Sequence, residues 1–219
     1  MQPRLLVVIL LILSHLSARG ETIEEVVAAV GNTPLLRSDL QLAELVRLVE
    51  PEAGETRTEY NSRLLDARIN LELQFQDLEE SGTLYRLDLD VESTRTAIVD
   101  RAGGEEVLEP LLREQGLTFD DVDQLSLRSE SARAYIEQRL RPRLRVTGEE
   151  VQAAYYDLVA REAEAAGQSP PAIESLQDQI RHLLMERKLN DEIQTWLEGA
   201  AEQHEVTRFF RAEVDPGSE

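Results

Sequence analysis

Apolar side chains recur at helical spacing through residues 172–202. Ile173, Leu176, Ile180, Leu183, Leu184, Ile193, Trp196, Leu197 and Ala200 fall on one broad stripe, with Arg181, Glu186, Lys188, Asp191 and Glu192 mostly opposite. At a rise of ~1.5 Å per residue the pattern predicts one helix of about 45 Å. Most helical stability comes from packing an apolar face, so the rest of the chain is expected to cover that stripe.

Upstream, residues 23–37 read as a short hairpin. Val26, Val27 and Val30 form a β-prone run, Gly31-Asn32-Thr33 is a turn, and Pro34-Leu35-Leu36 resumes the extended chain. A helix is expected from Ser38, with Gln41 completing a capping box, Leu42, Leu45, Val46 and Val49 facing inward, and Pro51 ending it. Thr56 or Thr58 caps the next helix, which carries Leu64, Leu65, Ile69, Leu71, Phe75 and Leu78 and stops at Gly82. Asp90 caps a shorter helix through Ile98 and Val99, closed by Gly103-Gly104. Another spans about 106–115. Pro110 inside it would cost ~3 kcal/mol in a helix interior, so it is expected in the first turn, where no backbone donor is missed.

Thr118 caps the helix that follows, with Val122, Leu125, Ala132, Ile136 and Leu140 on one face up to Pro142. Thr147 and Glu150 form a clear capping box, and the helix behind them carries Val151, Ala154, Tyr155 and Leu158 before fading into residues 161–166. Gly167-Gln168-Ser169-Pro170-Pro171 is the most obvious break in the chain. After the long helix, Val206 to Phe210 reads as a last strand. It is expected to pair near the first, because the long helix has to return to the N-terminal region to bury Trp196 and Leu197. The pattern predicts a mainly α fold, with a multi-helix module, a long C-terminal helix and a small β contribution from the two ends of the mature chain.

Residues 1–20 read as an export signal, with Arg4 at the positive end, Leu5 to Leu13 as the apolar core and Ala18-Arg19-Gly20 as a small-x-small cleavage site. That run is far short of the ~20 residues needed to span a bilayer, so cleavage near Gly20 and a periplasmic or secreted location are expected. Cysteine is absent, which leaves no disulfide and no thioether-linked lipid anchor.

The full chain carries 23 basic and 43 acidic residues; loss of Arg4 and Arg19 with the signal takes the formal charge from −20 to −22. So acidic a surface argues against nucleic acid, whose affinity comes largely from Lys and Arg on phosphates. It also favours solubility. Catalytic chemistry has no visible carrier. No HExxH, GxSxG, GxGxxG or P-loop pattern occurs, and the mature histidines, His182 and His204, each stand alone. Asp120, Asp121 and Asp123 lack the glycine and distal Glu of a calcium loop and suit a helix N-terminus instead, as does Glu149-Glu150. No enzyme activity, cofactor or metal is expected.

Taken in order, several stretches resemble the SurA-type periplasmic chaperones. IEEVVAAVGNTPLLRSDLQ is similar to the opening of that family, with Val30, Asn32, Leu35, Ser38 and Asp39 on its pattern. LLDARINLELQFQDLEESG resembles its next helix. LLREQGLTFDDVDQL and RLRPRLRVTGEEVQAAYYDLV resemble later helices, and PAIESLQDQIRHLLMERKLNDEIQTWLEGAAEQHEVTRFF resembles the helix that returns after the isomerase domain. Members that isomerise prolyl bonds carry a parvulin domain in that interval, where only residues 161–171 stand here.

The resemblance therefore implies a helical chaperone module over 21–160, a linker replacing the isomerase domain at 161–171, a long helix and strand over 172–210 packing back on the module, and a polar tail at 211–219. It implies an ATP-independent holdase for unfolded exported or outer-membrane proteins. An adaptor or structural subunit of an envelope assembly is the alternative, and a peptidyl-prolyl isomerase a more distant one. Candidate client-binding residues on the helices flanking the long one are Leu42, Leu45, Leu71, Phe75, Tyr155 and Tyr156. Adjacent helical residues point about 100° apart, so one of the two tyrosines is expected to be more exposed than the other.

Overall fold

The computed structural model describes residues 24–209. The expected export signal, Phe210 at the end of the expected last strand, and the expected polar tail lie outside the described residues. The fold is mainly helical with one small antiparallel sheet, as the periodicity predicts.

The sheet gathers both ends of the described chain. β1 (Val26–Val30) pairs with β2 (Thr33–Leu36), and β3 (Val206–Arg208) lies antiparallel along the other side of β1, giving the order β2-β1-β3. Two residues, Gly31 and Asn32, close the hairpin. Gly31 sits at φ +55°, a left-handed conformation that a side chain disfavours, and its N–H donates to the Glu205 carbonyl at 2.8 Å. The turn is thereby tied to the chain entering β3, and the expected pairing of last strand with first is direct.

α1 (Arg37–Leu45) follows β2 without a loop. Its N-cap is Leu36, not Ser38: the Asp39 Oδ2 accepts the Leu36 N–H at 2.8 Å, and Glu24 Oε1 takes the Ser38 N–H at 3.2 Å. The acidic side chain at the third helical position, rather than Gln41, satisfies the free donors. The helix ends at Leu45, well before Pro51, because Arg47 turns left-handed at φ 51°.

α2 (Arg57–Glu80) is the hub of the molecule. Of the two expected caps Thr56 serves, accepting from Glu59 N at 3.3 Å while Glu59 Oε2 takes the Thr56 N–H at 2.8 Å. One side of α2 presents Leu65, Ile69 and Leu73 to the sheet, where they pack with Val27, Val30 and Leu35. Tyr60 and Leu64 pack on Ala43 of α1, and Leu71 reaches a second core. A helix enclosed on several sides needs apolar residues around much of its circumference.

That second core is built by α1, α3 (Val91–Arg101), α4 (Glu105–Glu114) and α5 (Phe119–Tyr135), with Val46, Ile98, Leu108, Leu112 and Val122 at its centre. α4 starts at Glu105, so Pro110 lies six residues in and not in the first turn. Leu108 and Leu112 face inward while Glu106 and Pro110 are exposed, so the helix is held by its buried side despite the missing donor. α5 runs on through a π-helical turn, Ile136–Leu140, and a short 3₁₀ turn, Arg141–Arg143.

The remaining helices form an arm. α6 (Gly148–Tyr155) has the expected box, Thr147 Oγ1 accepting from Glu150 N at 3.2 Å and Glu150 Oε2 from Thr147 N at 2.8 Å. It continues through a π-helical turn, Tyr156–Ala160, into α7 (Arg161–Ala165), so the first half of the expected 161–171 linker is helical. Gly167, at φ 68°, begins the reversal into α8 (Ile173–Gln203). α6 lies antiparallel on the first half of α8, with Lys188 Nζ 2.6 Å from Glu150 Oε1 at one end and the reversal at the other.

α8 matches the expected long helix in extent but not in role. Only Ile180, Leu189 and Ala200 are buried along its 31 residues, against nine buried residues in α2. Its second half docks on the body. There Leu197 joins the core beneath the sheet, and Trp196 is half-buried, its ring centroid 4.4 Å from that of Tyr135 and its indole N–H donating to Asp77 Oδ2 at 2.8 Å.

Candidate functional site

The six candidate residues do not form one cradle. Leu42 is 4% exposed within the second core, where Leu45 and Leu71 pack half-buried at its margin. Phe75 is half-buried with the Arg128 guanidinium 4.9 Å above its ring. Tyr155 and Tyr156 lie together on the arm. Tyr155 is half-buried and its hydroxyl donates to the Pro171 carbonyl, fastening α6 to the reversal before α8. Tyr156 points elsewhere and is 52% exposed. Both line a shallow depression of about 560 Å³ with Glu149, Gln152, Ala153 and Asp157.

Two further large apolar side chains on the arm reach solvent, Leu158 at 44% and Leu183 at 46%. The reason is architectural. The principal partner of α6 is the first half of α8, so each of the two helices buries the stripe facing the other and leaves the rest uncovered. Charge frames the apolar residues. The Lys188 ammonium beside Glu150, reinforced by the Thr147 N–H, holds that carboxyl below the usual range, and Arg141 does the same for Glu186.

A second constellation lies at the corner where β2 turns into α1, against α2 and α5. A cavity of about 220 Å³ opens there. Arg68, only 4% exposed, lines it and donates from Nη2 to Asp39 Oδ1 at 3.0 Å, while its Nε and Nη1 have no hydrogen-bond partner. Arg128 lines it too, donating from Nε to the buried Glu72 at 2.7 Å. Glu72 also accepts from Gln76 Nε2 at 3.0 Å. These residues were missed by sequence reasoning. The signal is in α2: Arg68 and Glu72 stand among Leu64, Leu65, Ile69 and Leu73, on the stripe that periodicity marks as buried.

The acidic clusters have structural roles. Asp121 Oδ2 accepts from the Thr118 N–H at 2.8 Å and completes a capping box, and Asp123 pairs with Arg95 at 2.7 Å. His182 is exposed on α8. His204 is buried between α8 and β3, its Nδ1 3.9 Å from Glu80 Oε1. Among the described residues no three His, Cys, Asp or Glu side chains are placed to hold a metal ion, and no helix is long and apolar enough to cross a membrane.

No family model matches the chain, and no curated protein is significantly similar to it.

Proposed function

We propose that the protein is an ATP-independent holdase of the exported-protein pathway, similar to a SurA-type chaperone module without its isomerase domain. The observation that carries this reading is the arm. Tyr156, Leu158 and Leu183 keep apolar surface in water on the arm. On the body most leucines, isoleucines and valines pack into cores, with Val26, Tyr85, Val107, Leu111 and Phe209 the large apolar side chains exposed there. Apolar contact is non-directional, so such surface accepts many unrelated sequences, and a tyrosine adds a polar tip that tolerates varied partners. With no P-loop pattern in the sequence to drive a nucleotide cycle, release follows from competition between the arm and the client's own folded state, by mass action. The net charge of −20 keeps holdase and client dispersed.

Light scattering from two or more unrelated clients, unfolded by reduction or dilution from denaturant, tests the proposal. Suppression of aggregation near stoichiometric ratios in each is the expected result. Failure in all of them, with one stoichiometric partner recovered by pull-down, would replace the holdase with a dedicated adaptor. A protease-coupled prolyl-peptide assay is expected to show no acceleration.

A further inference from the structure

The depression on α6 has a lining that discriminates between chemically different chains. Glu149, Gln152, Ala153 and Tyr156 stand at i, i+3, i+4 and i+7, so they share one face of the helix, with Tyr155 and Asp157 at its margin. Ala153 is the smallest of the six, and the longer side chains around it wall a hollow of about 560 Å³. The two tyrosines offer apolar area and electron-rich ring faces that attract a cation. Every charge in the lining has the same sign, since Glu149 and Asp157 are its only ionic groups. Both carboxylates are exposed and within a ligand's reach. Among the described residues Glu149 pairs with no cation, Lys188 being engaged by Glu150 at 2.6 Å. Asp157 meets Arg161 across 3.7 Å, with the two side chains 62% and 67% exposed, and a surface pair of that kind contributes little. An acidic segment is repelled here, and a purely apolar one gains nothing from the carboxylates. A segment with both apolar and basic side chains uses the whole lining.

We infer that the depression on α6 binds unfolded client segments in which lysine or arginine stands near an apolar residue. The client itself rests on the holdase reading, and the selection for positive charge goes beyond it. The two carboxylates are eight positions apart, roughly 12 Å along the helix axis. An extended chain sets side chains of the same side about 6.6 Å apart, so basic residues four positions apart reach both carboxylates. The apolar residue midway between them then falls over Ala153, which lies midway between Glu149 and Asp157. The basic group at the Asp157 end meets the adjacent Tyr156 ring as well. Charge complementarity of this kind adds discrimination more than affinity.

Calorimetric titration with three blocked peptides tests the inference: acetyl-Lys-Ala-Phe-Ala-Lys-amide and its analogues with glutamine or glutamate in place of both lysines. The lysine peptide should bind saturably and roughly fivefold tighter than the glutamine peptide, as two exposed ion pairs and a cation–π contact give together, and the glutamate peptide should bind weakest. Glu149→Gln with Asp157→Asn should remove the difference between lysine and glutamine peptides at an unchanged melting temperature. Glu79→Gln with Glu92→Gln takes the same charge from exposed positions on the body and should leave the difference intact, which separates a local site from the net charge of −20. No saturable heat from the lysine peptide, or equal affinity for all three, overturns the inference. So does a preference that survives in the folded α6 double variant, or one that the body variant loses equally. Should the α6 double variant fold poorly, Asp157→Asn alone serves, and an undiminished preference in it counts against the inference. Aggregation suppression measured beside the titrations keeps the two readings apart. Suppression without charge preference contradicts the inference and leaves the holdase, whereas a charge preference without suppression supports the cation-selective depression and contradicts the holdase.

Discussion

Glu130 is fully buried and still charged, because four donors converge on it. The Asp90 N–H lies at 2.9 Å, the Thr94 hydroxyl at 2.6 Å, and Arg133 reaches both oxygens at 2.7 Å. Burial pushes its carboxyl pKa up, but the Arg133, Thr94 and Asp90 bonds outweigh burial and hold it below the usual carboxylate range. A lowered folded value means stability that is complete above the ordinary value and is lost as pH falls through the folded one. Glu130→Gln should cost about 3 kcal/mol near neutral pH, since it leaves charged and neutral donors short of acceptors. In denaturant melts the difference between the two proteins should shrink as pH falls below the ordinary carboxylate range and through the lowered folded value; a gap unchanged at the acid end of the titration would contradict the ion-pair account. Trp196→Ala should cost about 3 kcal/mol, the low end for an aromatic truncation because the ring is half-buried, and Trp196→Phe about 1 kcal/mol for the bond to Asp77. At this scale the sequence is legible where a residue acts on its neighbours. Thr147 and Glu150 declare their box by spacing alone, whereas Arg68 and Asp39 are 29 positions apart and meet only after α1 folds onto α2.

Element type was readable from periodicity, and element ends less so. The threonine–acidic box at Thr147 and Glu150 is legible because its energetics are local. At Thr56, weighed against Thr58, and at Thr118 the cap residue is legible and its acidic partner, Glu59 or Asp121, comes from the structure. The start of α1 was misplaced because a hairpin strand feeds straight into it, and Asp39 caps it from inside. Pro110 was moved to a first turn by propensity, yet Leu108 and Leu112 on the buried face override that preference. Pro110→Ala should therefore restore a backbone bond and stabilise the protein by about 2 kcal/mol, less than the full proline penalty because proline also restricts the unfolded chain. A loss of stability on calorimetric melting would show that α4 is bent around the proline and needs it. Gly31→Ala should cost roughly 1 kcal/mol, since φ is +55° and the new Cβ meets Gln76 Oε1 at 3.3 Å.

Across the whole molecule, the long helix draws the eye in the sequence and α2 holds the structure together. Periodicity tells which face of a helix is apolar, and it is silent on how much of that face finds a partner. Ile180 and Ala200 of the expected stripe are covered, as is Leu189 outside it, whereas Leu183 lies on that stripe and stays in solvent. The candidate residues divide accordingly. Leu42 went to the core, and Tyr156 remained free, as the 100° step between adjacent helical positions required of one tyrosine of the pair. In the holdase account the uncovered part of the arm holds clients and the two cores hold the body.

The most direct test substitutes Tyr156→Ser and Leu183→Ser together and measures aggregation suppression beside thermal stability. Both side chains are half or nearly half exposed, so the melting temperature should stay close to that of the parent. The account predicts suppression reduced several-fold at equal protein concentration. Undiminished suppression by an equally stable double variant would contradict it, and would place the client-binding surface away from these two residues.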